Sequence, residues 1–262
     1  MSVANATAII LAAQREGRLD PLAAEAGVTH KCLVPIRGRP LLAHVLEALA
    51  AAEGLRRIRI SVEPEAQPAL QKIVDAAKLA LPVEFVASHA TITDSVYAAS
   101  EGLDGPFVIT TADNVLLTPD AIRRVAARLH AGDDAVGAMT RREAVLSAHP
   151  EGQRRFYRFR DGAFSNCNLY GLSRAGLKLA EMFRSGGQFA KNPRRLLTTI
   201  GPLNLLVLRF GLIRIAPAFA RLGRRFALKA SPVILDDGAH AIDVDNARTY
   251  AIAAELLDKR AA

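Results

Sequence analysis

Two short segments of this 262-residue chain combine residue types that could bind phosphate or a metal ion. The stretch LAAQREGRLDPLAAEAGVTHKCLVP, Leu11 to Pro35, begins like a phosphate-binding turn after a buried strand, although Gln14 and Glu16 stand where such a turn would be expected to have glycines. The segment TTADNV places Asp113 directly after an apolar run. Backbone N–H groups bind phosphates and carboxylates bind hard cations, so these two segments form the candidate ligand site.

The surrounding elements would position both segments at one edge of a sheet. Strand patterns separated by helix patterns favour a mostly parallel, doubly wound α/β sheet, and ligands of such sheets bind at the carboxyl ends of the strands. The loop after Ala13 and the TTADNV segment would then lie side by side. The predicted strands are 7–13, 58–62, 83–86, 107–111 and 135–140, and the predicted helices are 40–52, 64–79, 93–102 and 119–130.

The second half of the chain departs from this alternation. Residues 154–173 alternate aromatic and basic side chains around an Asp161-Gly162 turn, which predicts a hairpin appended to the main sheet. SPVIL predicts a further strand. The residues that follow predict a turn, a short strand at AIDV and a terminal helix that begins near Asn246.

Residues 191–229 form a basic and apolar segment. Its longest uncharged run, Leu196 to Leu208, is 13 residues long and too short to span a bilayer. We expect a small helical insertion over about residues 190–230, within a single domain of residues 1–262. Two further roles are open for the segment, a homodimer contact and a peripheral contact with an anionic membrane surface.

Composition limits the class of protein. A chain that is 50% hydrophobic can bury a sizeable core, which excludes disorder as a whole. A net charge of +8 attracts phosphorylated substrates, nucleic acid or anionic membranes. The basic residues of 154–160 match no RNA motif, so we expect no nucleic-acid partner. Cys32 and Cys167 fit no metal spacing, and no basic region precedes the first apolar run; we therefore expect no export signal and a cytoplasmic protein.

Several motifs occur in the order and at nearly the spacing of a known family. R-L-x-P-L begins at Arg18, and K-x-L-x-P-x-x-G-x-P-L-L covers 31–42. They are followed by TTADNVLLTPD, by SNCNLYGLS around Asn166 and by AIDVDNARTY around Asp243. The set resembles the nucleotidyltransferases, MobA-like and sugar-phosphate nucleotidylyltransferases, which join an NTP to a sugar phosphate or similar alcohol phosphate. The matches cover roughly the whole chain, which makes a chance resemblance improbable.

The resemblance implies a Rossmann-like, glycosyltransferase-A-like fold and a reaction that depends on Mg²⁺. Arg18 and the turn before it would hold the β- and γ-phosphates of the NTP, and Lys31 would offset charge at the α-phosphate. Asp113 and Asp243, at the ends of two strands, would bind Mg²⁺, with Asp245 as the substitute ligand. Asn166 and Asn168 would contact the phosphorylated acceptor. The residues implied in nucleotide binding are Leu11, Ala12, Ala13, Gln14, Arg15, Gly17, Thr93, Ser95 and Ala112.

The turn itself departs from the family pattern at Gln14 and Glu16. We expect it to bind phosphate in a reshaped form, with the insertion Asp20–Thr29 folding over the triphosphate as a mobile lid. SHATITDSVYAASEGL resembles the pyrimidine-binding segment of the methylerythritol-phosphate cytidylyltransferases, mainly at 94–96, and favours CTP over GTP and UTP. An ordinary helix start capped by Thr93 would fit any base.

We therefore interpret the chain as a nucleotidyltransferase that transfers an NMP, CMP by preference, to a sugar, polyol or lipid-headgroup phosphate and releases pyrophosphate. Two alternatives remain open at this stage. One is a catalytically inactive nucleotide-binding or regulatory module, which would explain Gln14 and Glu16. The other is a glycosyltransferase of the same fold, which should carry an Asp-x-Asp metal motif that TTADNV lacks.

Overall fold

The structure is a computed structural model that describes residues 6–14, 19–183 and 211–261. Arg15, Glu16, Gly17 and Arg18 of the predicted phosphate turn lie outside the described residues, as do residues 191–210 of the basic segment.

The described residues contain one eight-stranded mixed sheet and a separate two-stranded hairpin. The strands are β1 Ala6–Leu11, β2 Pro35–Ile36, β3 Arg39–Pro40, β4 Leu55–Val62, β5 Val83–Ala87, β6 Phe107–Thr111, β7 Ala135–Arg141, β8 Tyr157–Phe159, β9 Gly162–Leu172 and β10 Ala230–Leu235. The sheet order is β10-β7-β9-β6-β1-β4-β5, with β8 paired to β9. The β1–β4, β1–β6, β4–β5 and β7–β10 pairs are parallel, whereas β9 runs antiparallel to β6, β7 and β8.

Helices cover both faces of this sheet. They are α1 Pro21–Glu25, α2 Leu41–Ala50, α3 Gln67–Ala77, α4 Ile92–Ser100, α5 Pro119–His130, α6 Arg142–Ala148, α7 Ile215–Arg225 and α8 Ala247–Ala261. Ala8 and Ile10 of β1 pack in one buried cluster with residues of α2 and α5, and Ile9 packs in another with residues of α4. Because both faces of β1 are buried, the strand reads as a continuous apolar run. The predicted fold class, a mostly parallel mixed α/β sheet flanked by helices, is confirmed.

The hairpin predicted around Asp161-Gly162 is present as β8 and β9. Gly162 has φ +136°, in the region that favours glycine. The second arm of this hairpin is longer than expected: β9 continues between β6 and β7 and so belongs to the main sheet. This position brings Asn166 and Asn168 next to the carboxyl end of β6.

The prediction of a short strand at AIDV, residues 241–244, is wrong. Residues Gly238–Ala241 form a 3₁₀ helix, and the Asp237 side chain caps it by accepting from the Ala239 N–H. Asp243 therefore lies in an irregular loop before α8 rather than at a strand end. The loop is held to the carboxyl end of β6 because the Val244 N–H donates to the Asp113 carbonyl oxygen at 3.2 Å.

The part of the basic segment that the structure describes contains α7. Ile215 is buried, and Phe219 packs partly buried against the cluster of Met139, Phe164 and Ile215. Arg221 and Arg224 are exposed, and Leu212 is 63% exposed. Within residues 6–14, 19–183 and 211–261, no helix is both long enough and apolar enough to cross a membrane.

Candidate active site

Lys31 lies between two of the predicted metal carboxylates. Its Nζ is 2.6 Å from Asp113 Oδ2 and 3.2 Å from Asp245 Oδ1. Burial alone would lower the pKa of Lys31, but the charges and hydrogen bonds of the two carboxylates outweigh burial and leave the pKa raised. Lys31 is therefore charged at neutral pH and holds positive charge beside Asp113.

Asp243 is the most deeply buried acid of this group. It is 9% exposed, and its Oδ2 accepts a hydrogen bond of 2.6 Å from Asn168 Nδ2. Burial, followed by the charges of Asp113 and Asp245, raises the pKa of Asp243 well above its usual range. A carboxylate in such a place is stabilised by any cation that binds beside it.

Two carboxylate oxygens at this site are buried without a hydrogen-bond partner among the described residues: Asp113 Oδ1 and Asp243 Oδ1. Buried charged oxygens of this kind are costly unless they are paired or bind a metal. The described residues contain no group of three or more His, Cys, Asp or Glu side chains arranged to hold a metal ion. A pair of carboxylates nevertheless fits Mg²⁺, which is commonly held by one or two carboxylates together with substrate phosphates and water.

Asp245, the predicted substitute ligand, lies at the rim of the site. Its side chain is 58% exposed and makes its contact with Lys31. Its backbone N–H and that of Asn246 donate to Thr249 Oγ1, and Asn246 Oδ1 accepts from the Thr249 N–H. Asp245 and Asn246 thus precede α8 and bond to its first turn. Of Asp243 and Asp245, the buried Asp243 is the better placed candidate for a metal ligand.

The two predicted acceptor residues on β9 are hydrogen-bonded to each other. Asn166 Nδ2 donates to Asn168 Oδ1 at 2.7 Å and to the Tyr170 hydroxyl at 2.6 Å. Sequence reasoning assigned no role to Tyr170 or to Asn114. Asn114 is 1% exposed and donates to Thr110 Oγ1 and to the Cys167 carbonyl, each at 3.1 Å, which ties the Asp113 segment to β9.

The described part of the predicted phosphate turn is bound to a residue that the sequence did not single out, Glu63. Gln14 N–H donates to Glu63 Oε1 at 2.8 Å, and Gln14 Nε2 donates to the Thr29 carbonyl at 2.7 Å. Glu63 Oε2 lies 3.4 Å from Nε2 of the buried His30. A carboxylate of the protein therefore occupies one of the backbone donors that were predicted for phosphate, the Gln14 N–H.

The other predicted residues of this turn lie at the edge where β1, β4 and β6 end. Ala12 N–H donates to the Ser61 carbonyl at 2.9 Å, and Ala112 N–H donates to the Leu11 carbonyl at 3.0 Å. Ala13 is exposed beside the buried Ala12. The parallel strands thus bring the start of the turn and the Asp113 segment together, as predicted.

The prediction of a mobile lid over 20–29 is not supported by the packing of that segment. Asp20 caps α1 by accepting from the Leu22 N–H, and Leu22 and Ala23 are buried in a cluster with Val115 and Leu116. Apolar burial of this kind anchors the segment to the core, because opening it would expose both side chains to water.

Thr93 and Ser95, predicted to bind nucleotide, use their hydroxyl groups within the protein. Thr93 is fully buried and donates to the Ala180 carbonyl at 2.6 Å. Ser95 Oγ accepts from the His89 N–H and donates to its carbonyl. The expectation that Thr93 caps α4 is wrong, because the cap is Thr91, whose side chain accepts from the Asp94 N–H.

Solved structures with the same fold include a hypothetical transferase and a synthase. A hypothetical transferase from Thermus thermophilus is 27% identical to this chain with a TM-score of 0.73, covering 94% of this chain and 99% of its own. The 4-diphosphocytidyl-2C-methyl-D-erythritol synthase of Anaerococcus prevotii has a TM-score of 0.61, covering 98% of this chain and 100% of its own. At 12% identity it shows likeness of fold alone.

Sequence comparison identifies the family of this chain. A 2-C-methyl-D-erythritol 4-phosphate cytidylyltransferase from Synechococcus sp. is 29% identical over 124 residues, which are 44% of this chain and 52% of that protein. This chain thus matches about half the length of that relative. The family model of the MobA-like NTP transferase domain matches residues 8–225. The chain therefore belongs to the nucleotidyltransferase family of MobA-like NTP transferase domains.

Proposed function

We propose that this protein transfers an NMP from an NTP to a phosphorylated small-molecule acceptor, with release of pyrophosphate. One observation carries the proposal: Lys31 lies against Asp113, and Asp113 and Asp243 each present a buried oxygen without a hydrogen-bond partner among the described residues. A lysine beside two carboxylates that can hold a divalent cation supports attack on an α-phosphate, because cations offset the negative charge of the reacting phosphate.

The reaction needs little acid–base chemistry from the protein. An oxygen of the acceptor phosphate attacks the α-phosphorus, and the bond from that phosphorus to the oxygen bridging to the β-phosphate breaks, so that the electron pair leaves with pyrophosphate. The acceptor is a phosphate monoester, with a second pKa near 6, and is already ionised at neutral pH. No residue need remove a proton.

Each residue of the cluster has a separate part in this reaction. Asp113 and Asp243 would hold Mg²⁺, which would offset the negative charge that develops on the reacting phosphate. Lys31 would exchange its contact with Asp113 for one with the α-phosphate as the nucleotide enters. Asn114 keeps the Asp113 segment against β9 through its hydrogen bonds to Thr110 and Cys167.

We propose CTP as the preferred nucleotide. The preference is supported by the name of the 29% identical relative, a cytidylyltransferase, and by the resemblance of residues 94–96 to the pyrimidine-binding segment of such enzymes. Because the hydroxyl groups of Thr93 and Ser95 are engaged within the protein, contacts with the base fall to backbone groups of the loop before α4. The acceptor class remains a sugar, polyol or lipid-headgroup phosphate.

The test is a screen of the four NTPs against sugar, polyol and amino-alcohol phosphates, with pyrophosphate release as the readout. We expect release that needs both the acceptor and Mg²⁺ and that is highest with CTP. A matched Asp113→Asn variant controls for contaminating enzymes. If no pair of substrates releases pyrophosphate, the proposal fails.

A second candidate function follows from the Glu63 contact. A carboxylate on the Gln14 N–H repels phosphate, as expected of a module that binds nucleotide weakly without turning it over. Calorimetry separates the two functions: a module binds an NTP in the presence of Mg²⁺ but releases no pyrophosphate with any acceptor of the screen.

A further inference from the structure

A chain of polar side chains leads along β9 to Asp243. It starts at the Tyr170 hydroxyl, which accepts from Asn166 Nδ2. The same nitrogen donates to Asn168 Oδ1, and Asn168 Nδ2 donates to Asp243 Oδ2 at 2.6 Å. Because Asn166 donates to Oδ1, that atom is the acceptor of the Asn168 amide, and the donor end must face Asp243.

The backbone of β9 is distorted at the residue that contacts Asp243. Asn168 has φ +45°, in the left-handed region that few residues other than glycine adopt, although Asn is among the more tolerant. The pairing with β7 shifts register here: Gly137 pairs with Tyr170 and Met139 with Asn166, so one β7 residue lies opposite three of β9. Bulges beside active sites re-aim side chains.

We infer that Asn168 is a positioning residue that fixes Asp243 by its Oδ2. It so presents to a divalent cation the Oδ1 atom, which has no hydrogen-bond partner among the described residues. The inference rests on the proposed function, in which Asp243 holds that cation. It replaces an acceptor contact as the main role of Asn168, because both ends of its amide are already bound within the protein. Partners that orient metal ligands commonly change metal affinity by about 10- to 100-fold when they are removed.

Asn166 and Tyr170 lie one and two hydrogen bonds further from Asp243 than Asn168 does. Without the hydroxyl of Tyr170, Asn166 keeps its bond to Asn168 but loses one of the contacts that hold its own amide in place. The effect on Asp243 should therefore be smaller than the effect of changing Asn168. A graded response along this chain of contacts is the signature of positioning.

The experiment measures Mn²⁺ binding, by electron paramagnetic resonance of free Mn²⁺, alone and with CTP. We expect Asn168→Gly to weaken Mn²⁺ binding about tenfold or more, and Tyr170→Phe by about two- to fivefold. Asn168→Ala, which also removes the donor that faces Asp243 but adds no charge, should weaken it about as much as Asn168→Gly. Lys78→Gly is the matched control, since Lys78 has φ +47° at the end of α3 and lies outside the site.

Thermal melting checks that each variant folds, and Tyr170→Phe carries the test should Asn168→Gly not fold. The inference is overturned if the wild type binds Mn²⁺ and if Tyr170→Phe and every folded Asn168 variant bind it with the same affinity. The proposed function would then still stand. Absence of Mn²⁺ binding in the wild type would overturn both the inference and the cation-dependent part of the proposed function. Loss of affinity in the graded order supports the inference whether or not the right acceptor has been found.

Discussion

Replacement of Lys31 by Met removes the positive charge of the candidate site while keeping most of the side-chain volume. Lys31 Nζ lies 2.6 Å from Asp113 Oδ2, and the two side chains are 20% and 16% exposed. At an effective dielectric constant of about 20, a unit charge pair at this separation attracts by about 6 kcal/mol before desolvation. The Asp245 contact adds little, since that carboxylate is 58% exposed.

The net effect on stability is smaller, because folding also removes Lys31 from water. Breaking a buried pair costs about 3–5 kcal/mol, and the remaining exposure of both side chains reduces this to about 2 kcal/mol in the Mg²⁺-free protein. Turnover should fall by about 10²- to 10³-fold, with a smaller effect on NTP affinity, because the charge is most useful as the transition state forms.

Urea denaturation and steady-state pyrophosphate release measure these two effects. Lys31→Arg is the matched variant, since it keeps the charge but changes its position. A Lys31→Met protein with wild-type turnover would refute the reasoning. Weaker NTP binding with unchanged turnover would reduce Lys31 to a general attraction for phosphate.

Four further predictions concern other residues. Asp243→Asn should stabilise the Mg²⁺-free protein at neutral pH and abolish turnover; no gain in urea midpoint would contradict the burial argument. Because the pKa of Asp243 is raised, its carboxyl group keeps a proton in the native state that it loses near pH 4 in the unfolded state. The free energy of unfolding of the Mg²⁺-free protein should therefore fall as pH rises from about 4 towards the raised pKa. Added Mg²⁺ or the Asp243→Asn substitution should reduce that fall. Glu63→Gln should tighten NTP binding by about two- to tenfold in calorimetry by removing charge beside Gln14, whereas weaker binding would make Glu63 a nucleotide contact. If residues 211–229 contact membranes, the double variant Arg221→Glu, Arg224→Glu should bind anionic vesicles at least about tenfold more weakly in co-sedimentation, since each arginine contributes about 1 kcal/mol. Its binding to neutral vesicles should not change.

The sheet was predictable because its parallel strands are buried on both faces. Such strands read as apolar runs between helical patterns, and β6 at Phe107–Thr111 and α5 at Pro119–His130 have their predicted bounds. The AIDV pattern led to a wrong prediction of a strand, because an apolar run can also be buried outside a sheet. Its apolar side chains are buried in a loop whose backbone bonds to the Asp113 carbonyl, so burial without strand pairing produced the same pattern.

The family motifs predicted Lys31, Asp113 and Asp243, with Asp245 as substitute, and the structure brings these side chains together because each motif ends or begins an element at the same edge. Glu63 could not be found in this way, and Tyr170, although it lies within the SNCNLYGLS motif, was given no role. Glu63 meets Gln14 across 49 residues of sequence, and Tyr170 reaches Asp243 through Asn166 and Asn168. Contacts between distant segments leave no local spacing to recognise, and the role proposed for Asn168 depends on its contact with Asp243, 75 residues away in the sequence.

A crystal structure with Mg²⁺ and a non-hydrolysable CTP analogue tests the central claim most directly. We expect the ion within about 2.0–2.1 Å of Asp113 and Asp243 oxygens, with Lys31 Nζ moved from Asp113 to the α-phosphate. An analogue bound away from Lys31, or an ion held by the phosphates without either aspartate, would contradict the account.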